Sequence, residues 1–117
     1  MNVDEHCVKG RRIVEGLDKL DPAEDAYAVI DGTMLAGYHI GNALLHVHRA
    51  SPDETHWNTP SKLEITIEHL PSEVTSAFAL FTRLEDLRQR YVRNAEVPDA
   101  AAANEAMRLV HAMAALM

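Results

Sequence analysis

The strongest structural signal in this chain comes from residues 23–50, AEDAYAVIDGTMLAGYHIGNALLHVHRA. This stretch contains no proline, and small or apolar residues recur in it every three or four positions, as one side of an α-helix requires. These residues are Ala26, Ile30, Thr33, Gly37, Ile40, Leu44 and Val47. Because its other sides also carry Tyr27, Leu35 and Leu45, the pattern predicts a long helix that is apolar nearly all round. Such a helix must lie between other helices or in a subunit interface.

Three further segments have helical spacing, and turn residues separate them from the long helix. They are predicted over residues 3–20, from the N-cap Ser72 to about Asn94, and after the N-cap Asp99. The predicted inner faces are Cys7, Ile13, Val14, Leu17 and Leu20 in the first helix, Val74, Phe78, Phe81, Leu84, Leu87, Tyr91 and Val92 in the third, and Ala103, Met107, Val110, Ala114 and Met117 in the last.

Residues 51–71 are ambiguous, since Leu63, Ile65 and Ile67 alternate as in a strand. Thr59 followed by Pro60 is instead typical of a helix start. An isolated strand would leave its backbone groups unpaired, so we expect a loop plus a short helix here. The predicted fold is all-α: an antiparallel four-helix bundle, forming one domain over residues 1–117, with this loop and short helix between helices 2 and 3.

Composition narrows the classes of function. A net charge of −7 repels polyanions, which disfavours RNA as a partner. The single cysteine cannot form an internal disulfide, which fits a reducing compartment. The first ten residues lack the pattern of an export signal, and no apolar run of about 18 residues occurs. We therefore expect a cytoplasmic protein that does not bind membranes.

Local spacing argues against a metal site. No glutamate precedes a histidine by three residues, as the Glu-x-x-His pairs of di-iron bundles require. His39 and His46 are seven residues apart, about 10 Å along a helix, which is too far for one ion to bridge. His46 and His48 point to different sides of the helix. Each histidine taken singly is expected to be structural or on the surface, and no metal or other cofactor is predicted.

Three segments together resemble the HEPN superfamily, the higher-eukaryote and prokaryote nucleotide-binding domains. They are AGYHIGNALLH at residues 36–46, the Thr55-His56 step, and LEDLRQRYV at residues 84–92. The resemblance implies an all-α bundle that forms a homodimer. It also implies one of two activities, either that of a metal-independent endoribonuclease or that of a noncatalytic helper that binds a nucleotide or a partner nucleotidyltransferase.

The nucleases of this superfamily carry an arginine and a histidine with four to six residues between them. Arg49 and His56, with six residues between them, match that pattern. The resemblance then implies that the imidazole transfers the proton and the guanidinium stabilises charge on the phosphate. Ala50 follows Arg49 where the superfamily usually has a polar residue, so we prefer the noncatalytic role.

The candidate ligand-binding residues are Arg88 and Tyr91, the nearest equivalents of the superfamily's noncatalytic motif, the polar residues Asn42 and His46 on the long helix, and Trp57. Trp57 is either a lid on the core or a contact surface. The predicted function is a homodimeric accessory module that binds a nucleotide or a protein. The alternatives are an endoribonuclease of a toxin or defence system, and a purely structural or regulatory bundle.

Overall fold

Four α-helices make up most of the computed structural model, which describes residues 1–50, 56–57 and 70–117. They are α1 (Val3–Leu17), α2 (Ala26–Val47), α3 (Ser72–Arg88) and α4 (Ala100–Ala114), and a π-helical turn at Gln89–Arg93 extends α3. No strand occurs in these described ranges. The prediction of an all-α fold with four helices is confirmed, while the antiparallel order stays a prediction. The predicted short helix at Thr59 lies outside the described residues.

The predicted long helix is the centre of the fold. α2 packs against α1, α3 and α4, and 14 of its 22 residues are buried. The core around it contains Phe78 and Phe81 of α3 and Met113 of α4. Tyr27, Leu35 and Val47 remain half exposed on α2. Val47 was predicted on the inner side, but it is exposed at the last residue of the helix, so that part of the prediction is wrong.

The helix ends follow the chemistry of their capping residues. α1 starts with a capping box, in which the Asn2 side chain accepts from the Glu5 N–H at 2.9 Å and the Glu5 carboxylate accepts from the Asn2 N–H at 2.7 Å. Asp99 caps α4 as predicted, accepting from the Ala102 N–H at 2.9 Å. Ser72 was predicted to cap α3, but it is the first helical residue and makes no capping bond.

The inner face of α4 differs from the predicted one. Its buried residues are Ala102, Ala103, Ala106, Leu109, Val110 and Met113, whereas Met107, Ala114 and Met117 are only partly buried. The helix is rich in alanine and methionine on several sides, so its apolar stripe does not define a single direction. None of the helices in the described part of the chain combines the length and the hydropathy needed to cross a bilayer.

A glycine sets the distance between α1 and α2. Gly10 is buried, and a Cβ atom placed on it would lie 3.0 Å from Cγ1 of Ile40, closer than ordinary van der Waals contact. α1 therefore packs so closely against α2 at Gly10 that a larger residue there would have to displace the Ile40 side chain by a few tenths of an ångström. One helical turn before Gly10, the side chain of His6 is held against α2, where it is 1% exposed.

Candidate metal centre

Three histidines from different segments meet beside the crossing of α1 and α2. His6 comes from α1, His46 from the last turn of α2, and His56 from the segment after it. One ring nitrogen of each lies within 4.8 Å of the others. The ring centroids are 5.3 Å apart for His6 and His46, 4.9 Å for His6 and His56, and 5.9 Å for His46 and His56. His6 and His46 are buried and His56 is exposed, so the cluster reaches the surface on one side.

A fourth histidine contacts His6 from α2. The Nδ1 atoms of His6 and His39 are 3.0 Å apart, a hydrogen-bonding distance. This contact occupies Nδ1 of His6, so Nε2 is the ring nitrogen of His6 that remains for another partner. That nitrogen is buried and has no hydrogen-bond partner among the described residues. A buried polar atom without a partner costs free energy, so a partner at this nitrogen would stabilise the site.

The position of His56 depends on its neighbour Trp57. The buried Asn42 side chain accepts from the Trp57 N–H at 2.9 Å and donates to the Trp57 carbonyl at 3.0 Å. It also donates to the Tyr38 carbonyl at 2.9 Å. Asn42 lies one turn before His46 on α2, so one helix supplies a histidine and fixes the backbone next to another.

Burial favours the neutral form of two of these imidazoles, those of His6 and His39. Burial, followed by the neighbouring His39, His56 and His46, lowers the pKa of His6 to about 4. Burial, followed by the positive charge of Lys9, also lowers the pKa of His39. A neutral imidazole keeps the lone pair that a metal ion requires, so at pH 7 His6 needs no deprotonation before binding an ion.

The spacing of the three nitrogens fits a transition metal after small rotations. Bonds of about 2.0–2.1 Å in tetrahedral geometry place ligand nitrogens about 3.3 Å apart. The three nitrogens lie within 4.8 Å of one another, and the exposed His56 can turn inward. Within the described ranges the group consists of histidines alone, a donor set that suits zinc, copper, nickel and iron better than magnesium or calcium.

The predicted catalytic pair divides between two roles. His56 belongs to the histidine cluster. Arg49 follows the C-terminus of α2 with φ 55°, in the left-handed region. Its N–H donates to the His46 carbonyl at 3.0 Å, and the Ala50 N–H donates to the Leu45 carbonyl at 2.8 Å. These two bonds form a Schellman motif, in which Arg49 occupies the position that glycine usually takes.

The predicted ligand-binding residues also separate. Asn42 and His46 are buried, and Trp57 packs against the core, as a lid would. Arg88 instead forms an ion pair with Asp31 at 2.6 Å, beside a cavity of about 380 Å³. Asp31 precedes His46 by 15 residues of helix, about 22 Å along its axis. Tyr91, on the π-helical turn, lies under the Arg90 guanidinium at 4.9 Å.

Sequence reasoning missed His6 and His39 as members of a site. The argument against metal binding compared only ligand pairs on one helix, whereas His6 of α1 contacts both His39 and His46 of α2, with ring centroids 5.3 Å from each. That argument does not address nitrogens that tertiary packing brings together. The available signal was local: His6 lies one turn before Gly10, on the face of α1 that packs on α2.

Comparison of the chain with family models, with curated proteins and with solved structures finds no match. The resemblance to the HEPN superfamily stays a prediction, and function must be argued from the site itself.

Proposed function

We propose that this protein binds one transition metal ion of the zinc class through His6, His46 and His56. The observation that supports the proposal most strongly is the convergence of three imidazole nitrogens within 4.8 Å in a partly buried site. His6 Nε2 adds to it, because an ion would give this buried nitrogen the partner that it lacks among the described residues.

The three imidazole ligands determine which chemistry a bound ion could supply. Three imidazoles leave one position of a tetrahedral ion for water or another ligand. Water bound to such an ion ionises near neutral pH, and the ion can also polarise a carbonyl or phosphoryl oxygen. Because His56 is exposed, the site is reachable from solvent. The proposed centre therefore has the composition of a reactive zinc site.

The experiment is a zinc titration of untagged protein after treatment with a chelator, followed by calorimetry. We expect one ion per chain, and Co²⁺ as a substitute should give the visible bands of a tetrahedral site with nitrogen ligands. His56→Ala is the test variant because the exposed side chain can be removed with little effect on folding. It should weaken binding by roughly 100-fold, as loss of a direct ligand must cost at least as much as loss of an outer partner.

His48→Ala is the matched control, since His48 is a histidine two residues from His46 that does not belong to the cluster. It should leave zinc affinity unchanged. Absence of stoichiometric binding by the wild type would contradict the proposal. So would equal losses of affinity in His56→Ala and His48→Ala.

We also propose, as a second function, the homodimeric accessory role. It is supported by the cavity at the other end of α2, which Asp31, Leu35 and Arg88 help to line. Leu35 is 53% exposed and Tyr27 50%, which leaves apolar surface next to a charged pair. A nucleotide phosphate or a partner carboxylate, such as one from a nucleotidyltransferase, would compete with Asp31 for Arg88.

Nucleotides should then raise the melting temperature of the wild type and not that of Arg88→Gln. Arg90→Gln is the control, because Arg90 is exposed and pairs with Glu96 instead. Sedimentation of wild type and Leu35→Glu tests the homodimer. A flat thermal response with a monomeric wild type would leave the purely structural interpretation.

The endoribonuclease alternative is tested by separating Arg49 from His56. If the two residues form a catalytic pair, Arg49→Ala and His56→Ala should each abolish RNA cleavage in the presence of a chelator. If His56 is a metal ligand, His56→Ala should lower zinc affinity and Arg49→Ala should not.

A further inference from the structure

We propose that His39 is a positioning residue that holds His6 in the tautomer able to bind the ion, an inference that rests on the proposed metal centre. His39 Nδ1 lies 3.0 Å from His6 Nδ1. His39 would act through this hydrogen bond and would not touch the ion.

The hydrogen bond allows two arrangements of protons between neutral rings. Only one hydrogen can lie between the two Nδ1 atoms, because a ring nitrogen either donates or accepts. If His6 donates, its Nε2 is a bare lone pair. If His39 donates, His6 must carry its hydrogen on Nε2, where it could not bind a metal. The choice of donor therefore decides whether His6 is a ligand.

The burial of His6 favours the first arrangement, both without an ion and with one bound. Nε2 of His6 has no hydrogen-bond partner in the described part of the chain, so a hydrogen there would be a buried donor without an acceptor. A lone pair at the same atom would be satisfied by the ion. A ligating histidine almost always donates its other ring N–H to a fixed acceptor, and His39 Nδ1 is placed to be that acceptor.

The fold makes His39 a rigid acceptor. His39 is 8% exposed and lies on α2, the same helix that carries His46. Its ring contacts Tyr38 with centroids 5.3 Å apart. Since one helix positions both a proposed ligand and the outer partner of a second ligand, the orientation of His6 relative to His46 is set within a single rigid element.

Two substitutions at His39 separate hydrogen bonding from packing. In His39→Asn the amide oxygen can take the place of Nδ1 and accept the same hydrogen bond. In His39→Leu no acceptor remains. We expect zinc affinity to fall by about 10–100-fold in His39→Leu. We expect it to stay within about threefold of the wild type in His39→Asn, because the outer hydrogen bond is kept.

The tautomer itself is measured by nitrogen-15 NMR of the metal-free protein. Wild type and His39→Asn should show His6 with its hydrogen on Nδ1. His39→Leu should show a shift towards the Nε2–H form, which a change in folding stability alone would not produce. If the wild type binds no zinc, the proposed function fails. If it binds zinc while both variants match it in affinity and tautomer, only the role of His39 fails.

Discussion

Gly10 sets the separation of α1 and α2, so Gly10→Ala should be costly. The new Cβ would lie 3.0 Å from Cγ1 of Ile40, whose side chain is fully buried and has little room to move. Gly16→Ala, on the same helix, is the matched control because nothing lies within 4 Å of its added Cβ.

The magnitudes follow from two opposing effects. Alanine in place of glycine gains up to about 1 kcal/mol of helix propensity at either position. Overpacking at Gly10 costs about 1–3 kcal/mol, and at Gly16 it costs nothing. The two variants should therefore differ by about 1–3 kcal/mol in the free energy of unfolding, with Gly16→Ala the more stable.

Urea unfolding followed by circular dichroism measures this difference, and a zinc titration of the same samples measures the site. Gly10→Ala should also bind zinc more weakly, because α1 carries His6 and moves away from α2. Equal stabilities of the two alanine variants would refute the close-packing argument. Normal zinc affinity in a destabilised Gly10→Ala would refute the link between that packing and the site.

Three further predictions concern protons, backbone strain and the bonds to Trp57. The metal-free protein should lose about 2–3 kcal/mol of stability between pH 7 and pH 4.5. The pKa of His6 is about 4 in the folded protein and near 6.5 in the unfolded chain, so the unfolded chain takes up the proton first. Urea unfolding at both pH values should show this loss in the wild type and a much smaller one in His6→Leu. Arg49→Gly should stabilise the protein by about 1 kcal/mol relative to Arg49→Ala, since only glycine adopts φ 55° without strain, and thermal unfolding that gave the opposite order would contradict this. Asn42→Ala should cost about 2–4 kcal/mol by leaving both Trp57 backbone groups unpaired, whereas Asn104→Ala at an exposed position should change stability by less than about 0.5 kcal/mol.

The fold could be predicted because its main signals are local. The spacing of apolar residues identified α2, and Asp99 marked the start of α4. The buried face of a helix was harder to predict where small residues lie on all of its sides, as in α4. Alanine favours the helix equally whether it faces the core or water, so its position does not show which side is buried. The long helix was expected to lie between other helices or in a subunit interface, and α1, α3 and α4 bury most of it within one chain.

The candidate site could not be predicted in the same way. His6 and His46 are 40 residues apart, and their proximity depends on the approach that Gly10 permits between two helices. Asn42 was predicted as a polar residue that could bind a ligand. Its side chain is buried, however, and its amide group forms hydrogen bonds with the backbone of Trp57 and Tyr38. Periodicity shows which side of a helix is apolar and does not show which polar side chains meet across it.

X-ray absorption at the zinc edge of the loaded, untagged protein tests the metal centre most directly. The geometry predicts three imidazole nitrogens at about 2.0–2.1 Å from the ion, with one imidazole fewer in His56→Ala. A zinc ion surrounded by oxygen alone, or a spectrum unchanged in His56→Ala, would contradict the proposal that these histidines hold it.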